Sequence, residues 1–123
     1  MTAPPAGQAP IDLSVISFVT IRSVADRSRV DVFLQDLDLG ESEALALAIE
    51  LTADLLLIDE VAGRARSKEI GLESIGVLGV LLEAKRAGLL DSISPLLDQL
   101  QWQHRFHLSE RVRSEVLRRA GEA

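Results

Sequence analysis

Residues 37–60 read LDLGESEALALAIELTADLLLIDE. In Asp38-Leu39-Gly40-Glu41 a side-chain acceptor is followed three residues later by Glu. That is the spacing of a capping box, in which two side chains satisfy amides at the open end of a helix. A helix therefore starts here. From Ala44 to Ile49 every residue is apolar, so the helix is expected to be buried on nearly all sides. It ends before Asp54. Leu55-Leu56-Leu57-Ile58 follows and stops at Asp59-Glu60. A short apolar run bounded by charge suits a buried parallel strand.

Reading outward, helix signals resume from Glu60 to about Ile70, and Gly71 fits the end of that helix. Glu73-Ser74-Ile75 is a second short strand, and Gly76 to Ala87 a helix with Gly88 just past it. Ser94-Pro95 opens another, with Ser as cap and Pro in the first turn. Arg105 to Leu108 alternates like a final edge strand, and Ser109 caps a last helix with Val112, Val116, Leu117 and Ala120 on one face. Upstream, Val24 to Leu37 has helical spacing, with Val30, Phe33, Leu34 and Leu37 on one side. The β-branched stretch before it predicts a strand around Phe18 to Ile21. Residues 1–10 hold all but one of the four prolines, so residues 1–14 are expected to be a flexible tail and 15–123 the folded domain. Strands alternating with helices imply an α/β fold with a small, mainly parallel sheet.

Composition narrows the function classes. The chain has 123 residues, of which 47% are hydrophobic and 26% charged, enough for a folded core rather than a disordered segment. There is no cysteine, so thiolate metal sites and disulfides are excluded, and a cytoplasmic location is expected. Met1 to Pro10 lacks the basic and apolar regions of a secretory signal. No apolar run is long enough to span a bilayer, so no membrane partner is expected. A net charge of −6 argues against simple nucleic-acid coating, because phosphate binding favours basic surfaces. It argues less against a nuclease, whose carboxylates gather metal ions.

In open parallel sheets, ligands bind beyond the carboxyl ends of the strands. Asp59 and Glu60 sit there, and Glu41 lies in the first turn of the preceding helix. Such carboxylates suit Mg²⁺ or Mn²⁺, which prefer oxygen ligands. Purely structural readings stand beside this. Glu41 closes a capping box with Asp38, Asp59 is placed to cap the next helix, and Glu60 and Arg64 are spaced as a surface ion pair. Arg64, Arg66 and Lys68 form either a phosphate track or a solvated helix face. His104 and His107 lack carboxylate neighbours in the sequence. Gly76-x-x-Gly79 reads as tight helix packing rather than a nucleotide loop.

The run from Leu37 to Leu90 resembles a bacterial and archaeal family assigned to the PIN-domain superfamily. The resemblance rests on Leu37 to Glu41, Leu56 to Glu60, Gly63-Arg64, Gly76 to Gly79 and Ala84 to Leu89, and extends loosely over residues 17–121. It implies a PIN-like α/β/α sandwich and a Mg²⁺- or Mn²⁺-dependent ribonuclease acting on RNA. Members look like toxins of toxin–antitoxin pairs, so an antitoxin protein is the implied partner. Glu41, Asp59 and Glu60 match the family's acidic positions, with Glu60 where Asp is usual. The resemblance departs at the start: the family opens on a strand ending in Asp-Thr-Ser, whose Asp is a metal ligand, and no matching motif occurs here. The expectation is a domain lacking the family's first strand–helix portion. It would be either a nuclease or a catalytically inactive relative that serves as a protein-interaction or oligomerisation module, with a homo-oligomer expected because an uncovered sheet edge invites association.

Overall fold

A computed structural model describes residues 11–123; the proline-rich segment 1–10, read as part of the tail, lies outside the described residues. Two compact units form, one from Val19–Val77 and one from Leu78–Ala123 together with the described residues up to Phe18. Among the described residues no helix is long and apolar enough to cross a membrane.

The unit Val19–Val77 contains the stretch that decides the fold. Helix α1 (Arg27–Phe33) starts at Asp26, whose carboxylate accepts from the Arg29 amide. Glu50 accepts from the amides of Ala25 and Asp26 at 3.0 and 2.7 Å, which joins the start of α1 to the next helix. That helix, α2 (Leu39–Leu51), has both halves of the expected capping box. The Glu41 amide donates to Asp38 Oδ1 at 2.8 Å, and the Asp38 amide donates to Glu41 Oε2 at 3.4 Å. Every residue from Glu41 to Glu50 is buried or half-buried, as its apolar run requires.

Strand β1 (Leu56–Leu57) pairs in parallel with β2 (Ser74–Ile75). The Leu56 amide donates to Glu73 O and the Ile58 amide to Ile75 O. Helix α3 (Val61–Glu69) makes the crossover, and Gly71 turns the chain out of it at φ +80°, a conformation that costs a side-chain-bearing residue far more. The result is one βαβ unit within an α/β fold. Val30, Phe33 and Leu37 meet Leu45, Ala46 and Ala48 of α2, Leu56 of β1 and Ile58 just after it in a continuous core. Each large side chain buried there contributes roughly 1.5–3 kcal/mol.

The second unit is helical: α4 (Val77–Arg86) from Leu78 onward, α5 (Ser94–Trp102) and α6 (Glu110–Arg119), with a short 3₁₀ turn at Leu13–Val15. Ile93, Leu97, Leu108 and Val116 are its buried centre. Ser109 caps α6 as expected, accepting from the Val112 amide.

Several expectations need correction. No strand forms around Phe18 to Ile21; both of those side chains are exposed, and β-branched composition makes a strand only where a partner strand pairs with it. Arg105 to Leu108 is irregular, with Arg105 at φ 53°. The helix expected over Val24 to Leu37 is confined to Arg27–Phe33, and Leu34 faces outward. Leu57 is also exposed, so β1 is covered on one face instead of two. Ser94 is the first residue of α5 and not its cap. Glu122 supplies the acceptor instead, taking the Ile93 and Ser94 amides at 2.8 and 3.2 Å and the Lys85 ammonium at 2.9 Å.

Candidate functional site

The acidic residues picked out from the sequence fall within the unit Val19–Val77. Glu41 stands in the first turn of α2, Asp59 just beyond β1, and Glu60 at the cap position of α3. Two glycines let the surrounding elements close on them. Gly63 is buried on α3, and a Cβ there would lie 2.5 Å from Ile58 Cδ1 and 3.7 Å from the Glu41 carboxyl carbon. The bare backbone therefore admits both Ile58 and Glu41 to this turn of α3. At Gly76 a Cβ would lie 2.8 Å from Asp59 Oδ1 and also 2.8 Å from Arg64 Nη1. A carboxylate and a guanidinium thus converge on one glycine.

Asp59 does not cap the helix that follows it. Its Oδ1 accepts from the Val77 amide at 2.7 Å, which ties the end of β1 to the start of α4. Glu60 holds the cap position of α3 with no side-chain hydrogen bond and is exposed. The Glu60–Arg64 surface pair suggested by spacing does not form. Arg64 turns toward Gly76 and makes no ion pair among the described residues. Arg66 is committed elsewhere: its guanidinium lies 5.5 Å from the Phe33 ring centre and pairs with Glu69 at 3.0 Å. Lys68 is exposed. Of the three cations, Arg64 shares the Asp59 corner. His104 and His107 are exposed and join no metal-binding group among the described residues. Gly63 and Gly76 are what residue chemistry missed, because glycine carries no functional atom. Spacing marked Gly76 only as a packing glycine, and Gly63 was marked by its place in the family pattern.

A family model described as a PIN domain matches residues 3–122. The chain belongs to the PIN-domain family. No curated protein and no solved structure matches it. PIN domains are generally dependent on divalent metal ions, so the donor set bears a test. Its chemistry fits: carboxylate oxygens suit Mg²⁺ or Mn²⁺. Its number is small. Among the described residues no three Asp, Glu or His side chains converge to hold an ion. One oxygen of Glu41 accepts from the Asp38 amide and one of Asp59 from the Val77 amide, which leaves each carboxylate a second oxygen. So few protein donors suit a hydrated ion, a mode Mg²⁺ favours, and not a closed protein cage.

Proposed function

We propose that this PIN domain is an endoribonuclease that works as the toxin of a toxin–antitoxin pair. The observation that carries the reading is the meeting of Arg64 and Asp59 at Gly76 without an ion pair between them. An unpaired guanidinium presents donors that match a phosphate. The second oxygens of Asp59 and Glu41 would hold Mg²⁺ or Mn²⁺, with Glu60 exposed next to Asp59 in sequence. A bound ion would supply an activated water and charge neutralisation for phosphodiester cleavage. The chain's own contribution is to orient the phosphate through Arg64 and to keep the Asp59 carboxylate fixed through the Val77 amide.

Calorimetric titration with Mn²⁺, paired with cleavage of a structured RNA, tests this. Saturable binding lost in both Glu41→Gln and Asp59→Asn, with cleavage lost in Arg64→Gln while Mn²⁺ binding persists, is the expected pattern. Cleavage that survives both carboxylate changes refutes it. A second reading, a non-catalytic interaction module, is favoured by one feature: helix capping alone accounts for Glu41 and Asp59. It predicts a folded protein with no Mn²⁺ heat.

A further inference from the structure

Helix α5 ends on Trp102, the chain's single tryptophan, and its side chain is 76% exposed. A large aromatic ring left in water gives up the burial that usually places it in a core. Gln103, His104, Arg105, Phe106 and His107 follow, and all but Phe106 are exposed. Phe106 packs against the core of the second unit, and its amide donates to Leu100 O at 2.9 Å. The Gln101 side chain donates to Leu108 O at 3.4 Å. The turn is thus pinned from within, and Trp102, His104, Arg105 and His107 are left on the outside of a fixed frame.

Arg105 stands at φ 53°, in the left-handed region that a Cβ disfavours. Past α3, α4 and α6 the residue at positive φ is glycine, but past α5 it is Arg105. Glycine would serve the backbone better, so Arg105 adds something that only its side chain supplies. That guanidinium makes no ion pair or side-chain hydrogen bond among the described residues, and neither do the imidazoles of His104 and His107. No carboxylate occurs between Asp98 and Glu110 in the sequence, and Asp98 is taken by Arg113 at 2.7 Å. The cation at this turn is therefore not neutralised by its neighbours in sequence, on a chain of net charge −6.

A flat aromatic face beside unpaired nitrogen donors matches a nucleotide: a base stacks on the ring, and its phosphate accepts from the cation. A folded protein partner needs a broad patch, about 800 Å² a side, whereas the exposed residues beside Trp102 are the polar Gln99, Gln103 and His104. We propose that the turn from Trp102 to His107 binds a single-stranded polynucleotide, with Trp102 as stacking platform and Arg105 as phosphate contact. On the ribonuclease reading that polynucleotide is RNA, and the turn is a substrate contact outside the Glu41–Asp59 corner. Only the choice of RNA rests on that reading.

Trp102 is the one indole in the chain, so its own emission reports the site. The full chain is titrated in EDTA with a single-stranded RNA of roughly 8 nucleotides, which reads binding without metal-dependent cleavage. Saturable quenching is expected. Anisotropy of the labelled RNA should show binding about tenfold weaker or worse in Trp102→Ala and weaker in Arg105→Gly, and largely kept in Trp102→Phe. Glycine suits the backbone at Arg105, and circular dichroism checks that each variant stays folded. Glu41→Gln and Asp59→Asn should leave the quenching unchanged. Quenching by a wild type that cleaves no RNA with Mn²⁺ refutes the ribonuclease reading alone; cleavage without quenching refutes this inference alone. Unchanged affinity in Trp102→Ala, or a polyphosphate that binds as tightly as RNA, also overturns it. So does tighter binding of a Glu-rich peptide than of RNA, since the turn would then be a protein site.

Discussion

Gly76→Ala is the sharpest probe of the Asp59 corner. The added methyl would sit 2.8 Å from both Asp59 Oδ1 and Arg64 Nη1, and at an ordinary 3.6 Å from Ile58 O. Arg64 ends a long flexible side chain and can withdraw at little cost. Asp59 is short, and the same oxygen accepts from the Val77 amide at 2.7 Å, so it cannot retreat without breaking that bond. Gly76 is not in the left-handed region, so the cost is steric and not conformational. Overpacking costs typically about 1–3 kcal/mol, and a hydrogen bond to a charged group is worth about 1.5–3 kcal/mol. A net loss of ~2 kcal/mol follows, or roughly 6–10 °C in Tm for a chain of this size. Urea unfolding followed by circular dichroism measures it. The decisive measurement repeats Gly76→Ala in an Asp59→Ala background, where the oxygen it strikes is gone. There the cost should fall to within ~0.5 kcal/mol of zero. If Gly76→Ala costs as much without Asp59 as with it, the reasoning fails, because the strain would then lie with the backbone or Arg64.

Other consequences follow from single residues. Asp59→Asn keeps an acceptor for the Val77 amide while Asp59→Ala removes it, so Asn should cost less than ~1 kcal/mol and Ala about 1–2 kcal/mol in urea unfolding; equal losses would show that the cap is not made. Ser42 is fully buried with no partner for its hydroxyl, so Ser42→Ala should raise stability by ~1 kcal/mol, through relief of desolvation and better helix propensity. A fall in denaturation midpoint would reveal a bond to that hydroxyl. The Glu122 carboxyl is held below the ordinary glutamate value of 4.5, chiefly by the Ile93 amide and then by Lys85. Its stabilising effect is therefore complete above that value and is lost as the pH falls through the depressed one. Thermal melts from about pH 7 to about pH 3 should show a flatter acid limb in Glu122→Gln than in wild type; parallel curves would remove Glu122 from acid unfolding.

Local signals were legible where a short span of chain contains its own physics. The Asp38–Glu41 box, the unbroken apolar run of α2, the Ser109 cap and the glycines after α3 and α4 all act through neighbours a few residues away, and each appears where the spacing put it. The Leu55 to Ile58 run and Glu73 to Ile75 were readable as strands because charge and turn residues bound them, though pairing shortened the ladder to two residues a side. β-Branched composition misjudged Phe18 to Ile21 and alternation misjudged Arg105 to Leu108, since a strand exists only through its partner.

Glu41 and Asp59 were visible as acids at strand and helix ends, but their tasks were decided by residues distant in sequence. Asp59 caps α4 through Val77 and not α3, Glu122 caps α5 in place of Ser94, and Arg64 faces Gly76 and not Glu60. The sequence by itself determined the α/β class, the starts of α2 and α6 and the family, because capping and apolar runs are short-range. Only the tertiary structure decided which carboxylate meets which amide or cation, because a hydrogen bond or a steric gap depends on atoms that packing alone brings together.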